Sequence, residues 1–184
     1  MHYLCIIKTN KQQQQQSKPY ATRLSATITE LPEVVGLIDA GRRIMRENGN
    51  LHQWDDNHPS VDQLRDDIEH GHCYLLKEAG TSIATFAFIP GPDITYRKIE
   101  QGRWLDDAKP YYAIHRVASL PDRHGVMTEL LGYCFAHTDN IRIDTHRDNL
   151  IMQHCLEKAG FSYCGIIHLL NGDERLAYQK VTKQ

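Results

Sequence analysis

Residues 148–161 read DNLIMQHCLEKAGF, and this stretch constrains the fold more than any other. Met152, Cys155, Leu156 and Ala159 recur at i, i+3, i+4 and i+7, which makes one apolar stripe on a helix. Gln153, Glu157 and Lys158 face away from it. Gly160 stands where the helix end needs a left-handed residue, and Phe161 begins a strand. A helix with one apolar face that runs directly into a strand must lie against a sheet.

The rest of the chain supplies that sheet. Arg23–Ala26 is a short strand candidate, and Thr29 can cap a helix with Pro32 in its first turn. Val34, Ile38, Gly41 and Met45 then share one helical face, which Asn48-Gly49 ends. Ser60 can cap a second helix carrying Val61, Leu64 and Ile68. Cys73–Lys77 and Ile83–Ile89 read as a hairpin around Ala79-Gly80. YYAIHRVAS at 111–119 is a strong strand, and Val126–Phe135 repeats at helical spacing. Ile141–Thr145, Phe161–Leu169 and Arg175–Lys180 are further strands, the last two joined at Asn171-Gly172-Asp173. The expected fold is α/β: a mixed, mostly antiparallel central sheet of about seven strands, flanked by helices.

Residues 1–20 hold five consecutive glutamines and read as a flexible arm, which leaves 21–184 as a single domain. A net charge of −2 gives no general attraction to nucleic acid or an anionic membrane. No apolar run approaches the roughly 20 residues that span a bilayer, and the opening MHYLCII is too short for a secretory signal. A cytoplasmic protein is the expectation. The five cysteines are spread without a C-x-x-C and read as reduced thiols. EHGHC at 69–73 lacks a second ligand pair, so a helix end meeting a strand start is preferred to a metal site, and no metal is expected.

Asn149 followed by Gly160-Phe161, set within this order of elements, resembles the last block of the GNAT superfamily of N-acetyltransferases. The resemblance covers nearly everything after the arm. It implies acetyl-CoA as co-substrate, a primary amine on a small molecule or peptide as acceptor, and direct transfer between them. Asn149 stands where the family contacts the pantetheine arm. A backbone N–H of the fourth strand, near Val117 or Ala118, would polarise the thioester carbonyl, and Ser119 continues that edge. A homodimer is compatible with the chain.

Family members carry Q/R-x-x-G-x-G/A between that strand and its helix. Here Asp122, Arg123, His124, Gly125, Val126 and Met127 occupy the six positions, and only Gly125 matches. No Ser, Thr, Asn or Asp immediately precedes Val126, and Arg123 and His124 place positive charge at the same end. An uncapped helix N-terminus of this kind suits an anion. The competing reading is a tight turn with two solvated basic residues.

His115 and Arg116 interrupt a strand that should be almost all apolar. Strict alternation would point Ala113, His115, Val117 and Ser119 one way and Ile114, Arg116 and Ala118 the other. Arg116 could pair with Asp144. His115 is the candidate base, against a hydrogen-bonded core histidine. In the family, a tyrosine four residues before the glycine protonates the departing thiolate; Leu156 occupies that place here. Tyr112 is the candidate substitute donor, and Tyr111, Tyr96 and His115 are others. Tyr96, Glu100 and Trp104, in the long loop FIPGPDITYRKIEQGRWLDDAKP, either line the acceptor site or pack the loop onto the domain. Leu156 and the altered loop keep two other readings open: a catalytically silent CoA-binding or regulatory module, and an interaction domain that no longer binds CoA.

Overall fold

The computed structural model describes residues 21–22 and 25–182. The glutamine-rich arm lies outside the described residues, as do Arg23 and Leu24 of the first expected strand. The first pairing falls instead at β1 (Ala21–Thr22), while Ala26 beyond it gives its N–H to the Cys73 carbonyl at 2.7 Å without joining a strand.

A short 3-10 turn leads into α1 (Leu31–Glu47), and its cap is Thr27 rather than Thr29. The Thr27 N–H and hydroxyl both donate to a Glu30 carboxylate oxygen, at 2.9 and 2.8 Å. The extra turn ahead of Pro32 moves the start two residues earlier than expected. Ser60 caps α2 (Val61–Glu69) as expected, accepting from the Gln63 N–H at 3.1 Å. β2 (Cys73–Glu78) and β3 (Thr81–Pro90) form the hairpin, turning through Ala79 at φ 48° and Gly80 at φ 84°. β4 (Tyr112–Ser119), α3 (Val126–Phe135), β5 (Asn140–Thr145), α4 (Leu150–Lys158), β6 (Ser162–His168) and β7 (Glu174–Val181) complete the order.

The sheet runs β1-β2-β3-β4-β5-β7-β6, and among the described residues β4 and β5 are the only parallel pair. Leu76, Ile114, Ile143, Leu130 and Leu156 belong to the core under α3 and α4. Leu75, Val34, Ile38, Leu64 and Ala118 form the core under α1 and α2. The neighbours Leu75 and Leu76 thus point to opposite faces, as the pleat requires. Tyr96, Trp104, Ala113 and Ile167 make a third cluster, where the long loop covers the sheet beside α1 and α2.

Gly41 sets how closely α1 approaches the sheet. A Cβ there would stand 2.9 Å from the Ala118 Cβ, so only glycine allows this contact. Within the EHGHC stretch, Cys73 is buried and bonded to Thr85, and the His70 and His72 rings stack at 6.0 Å. No helix among the described residues is long and apolar enough to cross a membrane.

Candidate active site

β4 and β5 pair over only three rungs: Tyr112↔Ile141, Ala113↔Arg142 and Ile114↔Ile143. Beyond them the strands part, and a cleft of about 730 Å³ opens between β4, the start of α3, the start of α4 and one flank of α1. Val117, Ala118, Ser119, Arg123, His124, Gly125, Val126, Met127 and Asn149 all line it. These nine are the expected cofactor-binding residues, and they surround one cleft.

The parting is prepared by a β-bulge. Phe86 of β3 faces both Arg116 and Val117, because the register slips between Thr85↔Ala118 and Ala87↔His115. Arg116 takes φ 53°, a left-handed conformation tolerated where a bulge requires it. The extra residue reverses the parity of the strand. Val117 therefore packs on the α3/α4 side and Ala118 on the α1/α2 side, contrary to strict alternation. It also re-aims Arg116, which pairs with Asp67 of α2 and not with Asp144. The Arg116 Nε and Nη2 lie 2.6 and 2.8 Å from the two Asp67 oxygens. Burial nevertheless raises the Asp67 pKa, with Arg116 opposing it.

At the mouth of the cleft, Gly125 precedes α3 at φ 81° and no side chain caps the helix. The first N–H groups of α3 have no intrahelical acceptor, and the helix dipole adds partial positive charge there. Arg123 forms a half-exposed ion pair with Glu78 at 2.9 Å. Lys158 also lines the cleft.

Asn149 is the N-cap of α4, its Oδ1 accepting from the Met152 N–H at 3.1 Å. Its Nδ2 donates to Gln53 Oε1 at 2.8 Å. The same Gln53 oxygen receives Asn50 Nδ2 at 3.0 Å, and Thr145 Oγ1 and the His146 N–H each at 3.3 Å. Gln53 thereby ties the α1–α2 connection to the end of β5 and the start of α4. Nothing in the local sequence around Gln53 marks it for this role.

His115 and Asp144 are the first residues past the last paired rung. His115 Nε2 lies 3.1 Å from Asp93 Oδ2, and its Nδ1 lies 3.5 Å from Asp144 Oδ2. Tyr96 donates its hydroxyl to the same Asp144 oxygen at 2.8 Å. Burial alone would raise the Asp93 carboxyl. Hydrogen bonds from His115 and from the Thr95 side chain and backbone outweigh it and hold that pKa at about 2. Burial, reinforced by Asp144, pushes the Tyr96 hydroxyl well above its ordinary range, so it stays a donor. The expected His115 thus sits between two carboxylates, neither of which was assigned to it from sequence.

His115 does not itself line the cleft, and other expected site residues also lie apart from it. Tyr112 stacks on Phe88 at 4.4 Å, within the paired part of the sheet, and does not line the cleft. Tyr96 and Trp104 are buried, and the Trp104 indole N–H donates to the Tyr96 carbonyl at 3.0 Å. The Arg142 guanidinium lies between the Trp104 and Tyr111 rings, 4.0 and 3.9 Å from their centres. Glu100 pairs its backbone with Ile166 on β6 and its side chain with Lys98. The aromatic part of the loop therefore packs onto the sheet, and Tyr96 meets the His115 cluster twice, through its hydroxyl on Asp144 and through its ring, 5.7 Å from the His115 ring. Leu156 is fully buried in the core and turns away from the cleft.

The chain matches no protein-family model and no curated protein. It is similar to the crystal structure of a GNAT-family acetyltransferase from Streptococcus agalactiae, with 32% identity and a TM-score of 0.81. That match covers 90% of this chain and 96% of the other. A GNAT-family acetyltransferase from Listeria monocytogenes is 22% identical with a TM-score of 0.65, covering 89% and 95% of the two chains, and shows the shared fold.

Proposed function

The chain belongs to the GNAT family of acetyltransferases, and from that premise we propose that it transfers the acetyl group of acetyl-CoA to a primary amine by direct attack. The observation that carries this reading is the cleft opened where β4 leaves β5, with the uncapped N-terminus of α3 at its mouth.

The cleft suits a long ligand with an anionic end. The free N–H groups of α3, with Arg123 and Lys158 also lining the cleft, would receive phosphate oxygens. The edge of β4 from Val117 to Ser119 has no β5 partner, so its backbone groups on that side are available to an amide-bearing chain. Bound there, acetyl-CoA supplies a thioester, an activated acetyl donor with a fair leaving group.

The chain's own part is positioning and proton handling. His115 accepts the proton that the acceptor ammonium loses. The neutral ring donates its Nε2–H to Asp93, which fixes the tautomer and leaves Nδ1 to accept the proton; Asp144, 3.5 Å from Nδ1, then gives counter-charge to the imidazolium. Tyr96 fixes Asp144 in place. A backbone N–H on the open β4 edge faces the charge that grows on the carbonyl oxygen. α4 offers no hydroxyl at Leu156, so the thiolate, with a pKa near about 8.5, takes its proton from solvent.

Met127 at the α3 start and the buried Leu156 favour a second reading, a CoA-binding module without turnover. Calorimetric titration with acetyl-CoA, followed by thiol release over a panel of amines, decides between them. Binding with thiol release supports transfer. Binding without release across the panel supports the silent module, and no binding at high concentration ends both.

A further inference from the structure

A second cavity, of about 410 Å³, lies between the end of β5 and the β6–β7 turn. It is lined by His52, His146, Arg147 and the segment Gly172–Arg175. The register between β5 and β7 places it relative to the proposed base. Asp144 faces Ala177 and Thr145 faces Leu176 in the last rung, and continuing that register brings His146 beside Arg175, both of which line the cavity. Cross-strand partners share a face, as do residues two apart on one strand. Asp144, His146, Arg175 and Ala177 therefore stand on one face, next to His115. Neighbouring positions along it are roughly 7 Å apart.

Arg175 distinguishes this cavity. Its side chain is only 5% exposed, yet its partners among the described residues are few. Nη1 donates to the Glu174 carbonyl at 2.9 Å, and Nη2 stands 3.8 Å from Asp173 Oδ2, beyond hydrogen-bond range. A guanidinium carries five N–H donors in a planar fork that matches a carboxylate. Burial lowers the Arg175 pKa, and the more distant charges of Asp144 and Asp173 offset only part of that cost. The nearby acids are engaged elsewhere: Glu174 pairs with Arg147, and Asp173 accepts from Asn171 at 2.9 Å. His146 adds a donor. Its Nδ1 accepts the Asp148 N–H at 3.2 Å, and burial with the Arg175 charge keeps the ring neutral, so its proton sits on Nε2.

We propose that the acceptor is an amine that also carries a carboxylate, an amino-acid-like molecule whose carboxylate sits on Arg175 beside His146 while its amine lies toward Asp144 and His115. This rests on the acyl-transfer reading above. It adds to that reading a specificity determinant on β7 that lies outside the cofactor cleft.

The test compares each free amino acid with its own amide, which keeps the amine and loses the carboxylate. In the unaltered protein, thiol release from acetyl-CoA should favour the acid by at least about tenfold in kcat/KM, on the order of one lost charged hydrogen-bond pair. R175Q should raise KM for the acid by a similar factor and erase the preference, with KM for acetyl-CoA unchanged. Amides used as well as acids would overturn the proposal without any variant, which covers the case that R175Q fails to fold. If neither class releases thiol, the transfer reading fails separately. Calorimetry with free amino acids and N-acetyl amino acids on the CoA-saturated protein then decides the site. Binding that R175Q abolishes would uphold the carboxylate site, and absence of binding would overturn it.

Discussion

Asn149 Nδ2 and Gln53 Oε1 meet at 2.8 Å across 96 residues of chain, and this hydrogen bond locks the α1–α2 connection onto the first turn of α4. Gln53 is the acceptor for four donors at once, so its loss would release several elements together. Q53A is expected to cost about 1–3 kcal/mol, the penalty for buried donors left without a partner. N149A loses the α4 cap as well and should cost at least as much. The double variant should fall well short of the sum, because the two share one bond. Urea unfolding of the three variants measures this directly.

Asp93 makes the fold sensitive to acid in a defined window. Its folded pKa is about 2, against an ordinary 3.8. A depressed carboxyl contributes stability that is present above its unfolded pKa and lost as pH falls through the folded value. Unaltered protein should therefore lose about 2 kcal/mol of stability between pH ~4 and pH ~2 through this group alone. D93N should be weaker by a similar amount at neutral pH, and the gap should close near pH ~2. Denaturant midpoints recorded across that range, with the two proteins converging or not, decide the matter.

His115 tests the chemistry. H115A should lower kcat by about 10²–10⁴-fold, the usual contribution of a positioned base, with little change in KM for acetyl-CoA. Unchanged turnover across pH would remove His115 as the base and leave it a hydrogen-bonded core histidine.

Cys155 gives a chemical probe of the cleft. It lines the cavity and is half-buried, while Cys73, Cys134 and Cys164 are buried, and burial raises its thiol pKa with Lys158 opposing. Alkylation should be slow, should fall on Cys155 among these four, and should slow further when acetyl-CoA fills the cleft. Peptide mapping after timed iodoacetamide treatment checks it; labelling of Cys155 indifferent to saturating acetyl-CoA would separate the thiol from the ligand's path.

What could be read in advance was local. Ser60 capping α2, the Ala79-Gly80 hairpin and the wall from Val117 to Met127 each depend on residues adjacent in sequence. The misreadings come from effects that a linear pattern does not carry. One inserted residue at Arg116 reverses the strand's parity, sends Arg116 to Asp67 and leaves Asp144 for His115. Gln53 and Asp93 sit in connections with no periodicity, so only the closed fold reveals what they touch. The loop aromatics carry two readings: Arg142, buried between Trp104 and Tyr111, packs those two onto the sheet, while Tyr96 reaches Asp144 and His115.

The three rungs between β4 and β5 have a mechanical meaning too. β1–β4 form one leaf and β5–β7 another, and among the described strands that short seam alone pairs them, with Gln53 and the Glu100–Ile166 bridge tying the leaves from outside it. Each leaf is internally well paired, so thermal opening should begin at the seam and spread as a rotation of one leaf against the other. A molecule wedged into the split would touch both leaves and act as a brace. Slowed amide exchange at Ile114 and Ile143 would then report occupancy of a cleft that neither residue lines.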